Sequence, residues 1–409
     1  MNVPKLRFKE FDGEWGKETL KNLSFKIGDG LHSTPQYELD GEYYFINGNN
    51  LIDGKIVFNE TTKRVLREEV EKYKISLGKE TILLSINGTI GNLAFYNGEK
   101  ILLGKSAGYI DLNTNKVNKY FLYSTLQTSH IERYFKNELT GTTIKNLSLA
   151  SINKTIINLP DIKEQNMIGD LFKVLDKKIQ LQKQKVDFLQ EQKKGFLQKM
   201  FPRAGETQPE MRFDGFMGDW KQCKLNNYLQ TSKVKNTNEV YTKFDVLSVS
   251  GDYGIVNQIE FQGRSFAGVS VAPYGIVEKG DIVYTKSPLK SNPYGIIKVN
   301  KGKPGIVSTL YAIYKVRANV DPNFVEYYFA DDLRLNKYLK PLVNKGAKND
   351  MKVSDDNALI GDVVFPTDLE EQLRIAEFFK KLEDAINIQQ QKLDLLRKQK
   401  QGFMQQMFI

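Results

Sequence analysis

Residues Asp161 to Phe201 read DIKEQNMIGDLFKVLDKKIQLQKQKVDFLQEQKKGFLQKMF, and their apolar positions recur at helical spacing. Ile168, Phe172, Leu175 and Ile179, then Val186 and Leu189, then Phe196 and Met200 step by fours, threes and sevens. That alternation is the seam of a coiled coil, with Gln182 and Lys193 as polar interruptions. A helix of about 36 residues, climbing about 1.5 Å per residue, runs roughly 54 Å. Few globular cores bury so long a rod.

The stretch occurs a second time, as DLEEQLRIAEFFKKLEDAINIQQQKLDLLRKQKQGFMQQMF from Asp368 to Phe408. Its seam is Ile375, Phe379, Leu382, Ile386, Leu393, Leu396, Phe403 and Met407, interrupted by Gln389 and Lys400. Each position is offset by 207 (375 − 168 = 207), polar breaks included, so the chain is internally duplicated. Both copies follow a Pro and open on Asp-x-x-Glu, Asp161 with Glu164 and Asp368 with Glu371. This pattern satisfies the first free N–H groups of a helix. Gly195 and Gly402 interrupt the two helices at a cost of about 1 kcal/mol each, which predicts a close backbone approach or a helix end there.

The globular part is duplicated too. PKLRFKEFDGEW, Pro4 to Trp15, matches PEMRFDGFMGDW, Pro209 to Trp220, with an offset of 205 (209 − 4 = 205), and reads as an aromatic clip tying each half to its core. Short β-rich runs follow, TILLSI (Thr81 to Ile86), NLAFY (Asn92 to Tyr96) and GYIDL (Gly108 to Leu112), separated by Gly and Asn turns. A helical patch from Asn118 to Phe135 has its counterpart from Asn323 to Leu339. Each patch leads to a polar turn, LTGTTIKNLS (Leu139 to Ser148) or VNKGAKNDMKVS (Val343 to Ser354). Between these anchors the halves diverge: IGDGLHSTPQY (Ile27 to Tyr37) has no twin, and TKSPLKSNPYG (Thr285 to Gly295) only loosely parallels SINGTIGN (Ser85 to Asn92). A duplication that keeps its frame and changes its loops makes two similar heads with different ligands. FPRAGETQPE, Phe201 to Glu210, links them.

With 409 residues, 40% hydrophobic and 26% charged, the chain has room for two to four domains. No window holds 18 consecutive apolar residues and the start lacks the apolar core of a signal peptide, so the expected location is the cytoplasm, with no membrane partner. One cysteine, Cys223, and two histidines, His32 and His130, assemble neither a disulfide framework nor a zinc cluster, and Cys223 is expected to be a small buried residue. A net charge of +10 makes a polyanion a natural partner.

Catalytic motifs fail on spacing. GEKILLGKS, Gly98 to Ser106, has five residues between its glycines where a phosphate loop needs four. Asn292-Pro293-Tyr294 lacks a proline of the amino-methyltransferase motif. Asp161 with Glu191 and Lys193 has a nuclease-like spacing, but the acids lie roughly 45 Å apart along one helix, too far to share a metal. Polar loops remain. Thr142, Thr143, Lys145 and Asn146 in the first half, with Lys345, Lys348, Asn349 and Lys352 in the second, suit phosphates and base edges. Asn87, Thr89, Lys286, Lys290 and Asn292 are further candidates.

Two variable heads, each followed by a duplicated long helix, resemble the specificity subunit of type I restriction-modification enzymes over the whole chain. The resemblance is carried by PKLRFKEFDGEW and PEMRFDGFMGDW, by SINGTIGN and LTGTTIKNLS, and above all by LPDIKEQNMIGDLF and FPTDLEEQLRIAEFF with their Glu-Gln pairs. KSPLKSNPYG in the second head departs from it. The resemblance implies an α+β fold in which two β-rich heads are joined by two long helices packed as an antiparallel coiled coil. The corresponding divisions are 1–159 and 211–365 for the target-recognition heads, 160–201 and 366–409 for the helical spacers, and 202–210 for the linker. It further implies that each head reads one part of a split, asymmetric double-stranded DNA site. Two modification subunits would dock on the helices, the seam residues being divided between helix packing and that docking, and would carry S-adenosylmethionine for adenine methylation; motor subunits would use ATP and magnesium. Within this chain no cofactor, metal or catalysis is expected. The competing expectation is a coiled-coil scaffold with basic heads for acidic protein partners; discrimination among duplexes separates the two.

Overall fold

The computed structural model describes residues 2–73, 77–142, 145–289, 291–317, 319–345 and 351–409. The chain compacts into two units, Met1–Lys183 with Gln391–Ile409, and Gln184–Gln390. Each unit takes a head, one end of the helix that follows it and the far end of the other helix.

The long helices span Ile162–Lys199 and Leu369–Met407. Asp161 Oδ1 accepts from the backbone N–H groups of Lys163 (2.8 Å) and Glu164 (3.0 Å), and Asp368 Oδ1 from that of Glu370 (2.8 Å), so both Asp residues cap as expected. The glutamates do something else. Arg7 binds Glu164 through Nε and Nη2 at 2.7 Å each, and Arg212 binds Glu371 at 2.7 and 2.8 Å. Both carboxylates are buried, so these two-pronged charged bonds are strong. The conspicuous feature of the opening clip is therefore its arginine. The glutamines that follow pin each helix to its head. Gln165 Oε1 accepts from Asn118 N (2.9 Å) and Gln372 Oε1 from Asp321 N (3.0 Å), while their amides donate to Pro160 O and Pro366 O.

In the first unit the helix segments run antiparallel: Phe172 meets Phe408 with ring centres 5.3 Å apart, and Asp176 pairs with Lys400 at 2.7 Å. In the second unit Phe196 meets Phe378 at 5.0 Å and Lys193 pairs with Glu383 at 2.6 Å. Two of the expected polar interruptions are thus ion-pairing lysines. Glu383 also accepts from the Tyr327 hydroxyl at 2.8 Å. Burial pushes the Glu383 carboxyl upward, but Lys193, Lys301 and the Tyr327 bond outweigh it and leave the group below the usual carboxylate range. Of the expected seam, Ile168, Phe172, Leu175, Val186, Ile375, Phe379 and Leu393 are buried, and Ile179, Leu189, Leu382, Ile386 and Leu396 are half-buried. Nothing lies within 4 Å of a side-chain carbon built at Gly195 or Gly402, and both helices continue past them, so neither a close approach nor a helix end explains these glycines.

Each head is built on a four-stranded antiparallel sheet. In the first, the order is Ser24–Asp29, Ala107–Leu112, Thr81–Ser85, Leu93–Phe95; in the second, Leu229–Thr231, Tyr311–Val316, Ile282–Thr285, Ile297–Val299. A short antiparallel pair closes each head, Gly16–Thr19 with Ile156–Leu159 and Lys221–Lys224 with Asp362–Phe365. Cys223 lies on the latter pair and is half-buried, because a two-stranded pair covers only one of its faces. The second sheets differ. The first head joins Arg64–Val65, Tyr43–Ile46 and Ile101–Leu103 with one parallel pairing, whereas the second pairs Gly275–Val277 with Gly305–Val307 and adds the hairpin Leu247–Ser250, Gly254–Asn257.

The expected helical patch is two helices in each head, Lys119–Thr125 then Ser129–Asn137, and Pro322–Tyr328 then Asp332–Leu339. Asn118, Asp321 and Asp331 cap three of them. The first core gathers Trp15, Phe121, Ile168, Phe172 and Met407; the second gathers Trp220, Phe324, Phe365, Phe379 and Phe201. The 202–210 linker is fastened within the second unit, with Glu210 bonded to Lys199 (2.9 Å) and Arg203 (2.8 Å), and Trp220 N donating to Thr207 O.

Candidate nucleic-acid interface

In the first head, the turn after Thr81–Ser85 reverses the chain through Gly88 and Gly91, both at positive φ. Ser85 and Thr89 share a hydroxyl bond of 3.1 Å across it, and Gly91 N donates to Ser85 O. Asn87 forms an antiparallel bridge with Asn146 from the hairpin Leu139–Thr140, Asn146–Leu147, and Leu147 N donates to Ile86 O at 2.9 Å. Two loops separated by about fifty residues are thereby joined, and the structure brings Asn87, Thr89 and Asn146 together beside Lys145. Thr89, Thr142 and Lys145 are exposed, and Asn87 and Asn146 half-exposed. Thr143 lies outside the described residues.

Lys105 also belongs to this cluster, though its sequence context does not single it out. The Asn87 amide donates to Lys105 O at 3.3 Å, and the lysine side chain is exposed. Read only as a failed phosphate loop, Gly104-Lys105-Ser106 hid its simpler meaning: a tight polar turn between two apolar runs, ILL and AGYIDL, with a cation at its tip.

The second head treats its candidates differently. Lys286 Nζ pairs with Asp355 at 2.8 Å and is largely buried, so its charge is already neutralised. Asn292 is buried, its amide donating to Asp332 at 2.8 Å, and its role is to hold a loop against the helix Asp332–Leu339. The charge of Lys286 is already paired inside the head, and the carboxamide of Asn292 is turned inward. Lys345 and Lys352 sit on a paired two-residue ladder. Their side chains lie outside the described part, and Lys290, Lys348 and Asn349 lie outside the described residues.

His32 is an exposed loop residue bonded to Asp29 at 2.7 Å, and His130 an exposed helix residue, as their isolation in the sequence predicts. Among the described residues no group of three or more His, Cys, Asp or Glu is placed to hold a metal ion, and no helix is long and apolar enough to cross a membrane. The first-head cluster presents two ammonium groups, carboxamides and hydroxyls on three adjoining turns. Such groups bond phosphate oxygens and the acceptor-rich edges of bases.

Residues 13–191 match the family described as the type I restriction modification DNA specificity domain. Over 98% of its length the chain is 24% identical to a Methanocaldococcus jannaschii protein described as the MjaX type I restriction enzyme specificity subunit, of which it covers 95%. It is 21% identical to the MjaVIII type I restriction enzyme specificity subunit of the same organism, covering 90% of this chain and 85% of that one. Among solved structures it is similar to the S subunit of the type I restriction-modification system of M. genitalium, with a TM-score of 0.62 at 16% identity, covering 100% of this chain and 99% of that one. A second, from work on the assembly and conformational transition of a type I system, gives 0.52 at 14% identity, covering 96% and 97%. These structural likenesses bear on the fold: two heads and two long helices.

Proposed function

We propose, from the premise that this chain belongs to the type I restriction-modification specificity subunits, that each head reads one half of a bipartite, asymmetric double-stranded DNA site. The observation that carries this reading is the first-head cluster, where Asn87, Thr89, Lys105, Lys145 and Asn146 come together on three turns, two joined by the Asn87–Asn146 bridge and the third by the bond from the Asn87 amide to Lys105 O. The divergent loops of the second head support an asymmetric site, since unlike surfaces select unlike bases.

The chain itself supplies recognition, while chemistry resides on partners: two modification subunits holding S-adenosylmethionine and methylating adenine, and motor subunits using ATP and magnesium. The long helices set the gap between half-sites and dock the modification subunits. The seam is occupied by helix packing, so docking falls to the apolar residues it leaves out. In the first unit these are Leu181 and Leu395, 52% and 57% exposed; in the second they are Phe188 and Ile388, 61% and 60% exposed. They are duplicates at the same offset of 207 (388 − 181 = 207), as two equivalent docking sites require.

The test is to co-express the chain with a modification subunit proven active with another specificity subunit, and to map methylated adenines across a plasmid library at single-base resolution. A split, asymmetric motif is expected. A soluble complex that methylates nothing overturns the reading and favours the scaffold.

A further inference from the structure

We infer that Lys105 and Thr309 are position-matched base readers, and that the half-site of the first head contains a guanine contacted by Lys105 whereas that of the second contains a thymine contacted at Thr309 and Leu310. The inference rests on the DNA-reading role proposed above and assigns its chemistry to individual positions.

The match comes from strand register, because the loops themselves do not align by sequence. Ala107 is opposite Ser85 in the first sheet, and Tyr311 is opposite Thr285 in the second. Stepping outward from those pairs sets Ile86 against Lys286, Asn87 against Ser287, Ser106 against Leu310 and Lys105 against Thr309. The same backbone bond confirms the alignment: Ile86 N donates to Ser106 O at 3.0 Å, and Lys286 N to Leu310 O at 2.9 Å.

In the first head this position is held rigidly. Gly104 N donates to Ile46 O at 2.8 Å, the Ser106 hydroxyl donates to Asn47 Oδ1 at 2.9 Å, and Gly48 N donates to the same hydroxyl at 2.9 Å. The loops touch so closely that a side-chain carbon at Gly104 would collide with Asn47 Oδ1, and one at Gly48 with Ser85 Oγ. A fixed backbone under an exposed side chain is the preorganisation that direct readout needs. Among the described residues no carboxylate is paired with Lys105, in contrast to Lys286. An ammonium finds its best major-groove partners in the two acceptors of guanine, O6 and N7.

The second head replaces these donors with Ser287, Thr309 and Leu310. Thr309 is exposed and Leu310 is 60% exposed. A threonine methyl and an aliphatic side chain at a loop tip have one apolar feature to meet in the major groove, the methyl group of thymine.

The experiment uses the full chain in complex with its modification subunit, acting on a library of randomised bipartite sites with methylated adenines as readout. Lys105→Arg, which also donates to both guanine acceptors, keeps the wild-type motif. Lys105→Thr and Lys105→Gln relax one guanine position in one half-site by about tenfold or more, leave the other half and the gap unchanged, and melt at the wild-type temperature. Thr309→Lys changes the opposite half-site only. An unaltered motif in both Lys105→Thr and Lys105→Gln, relaxation at a position other than guanine, or changes from the Lys105 and Thr309 variants falling in the same half overturns the assignment while leaving the specificity role intact. Absence of any split motif from the wild-type complex overturns the role itself and this inference with it.

Discussion

Arg7 holds Glu164 and Arg212 holds Glu371 with bonds that agree to within 0.1 Å. In the loops beyond the sheets the same two halves share little: Asn87 and Lys105 in one copy stand where Ser287 and Thr309 stand in the other. The frame residues face partners that were duplicated with them, so any change in one copy strands a buried charge. Exposed loop residues such as Lys105 and Thr309 face outward, and burial constrains them less than it constrains the frame. Conserving the frame and freeing the loops is thus a consequence of burial, and it separates the residues that fold the molecule from those that give it a target.

The frame itself is not perfectly symmetric, and the largest predicted effect probes this. Glu371 also accepts from Trp220 Nε1 at 3.2 Å, whereas among the described residues Trp15 Nε1 has no partner. Arg7→Ala leaves Glu164 buried and is expected to cost about 3 kcal/mol or more, and Arg212→Ala less, because the indole still serves Glu371. Unfolding in urea checks this: Trp15 and Trp220, one in each unit, report the two units separately once the other is replaced by Phe. Equal losses would show that the indole bond contributes nothing.

A second asymmetry lies in the ion pairs between helices. Glu383 is held below the usual carboxylate range by its partners, so its contribution to stability is full above the unfolded value of about 4.3 and is lost as pH falls through the lowered folded value. Acid titration followed at Trp220 should show this loss, and Glu383→Gln should flatten it. The same slope in the variant would place the acid sensitivity elsewhere.

The smallest effect separates the loops. Lys145→Ala should reduce the slope of log affinity against log salt by about one, and Lys286→Ala should leave it unchanged because Asp355 already holds that ammonium. A smaller slope in the Lys286 variant would mean that the pair opens on DNA.

What the sequence disclosed and what it hid divide along the same line. Periodicity exposed the two long helices, their caps and their seam, since these depend on neighbours three and four residues away. The Glu-Gln pairs stood out as a signature, but their work did not: Arg7 lies 157 residues from Glu164, and no local pattern joins them. Lys286 looked like a free cation because Asp355 comes 69 residues later. Lys105 is hidden between glycines that resemble a phosphate loop, and strand register places it beside Asn87.

The closing strand pairs have a consequence for how such proteins acquire new targets. Gly16 lies opposite Leu159 and Lys221 opposite Phe365, so in each half the chain enters and leaves the head at one spot, just outside the arginine clip and just before the helix cap. Everything that chooses a sequence is therefore carried in a cassette with adjoining ends. Recombination between related genes at those two seams would exchange a whole head at once, with both long helices inherited unchanged.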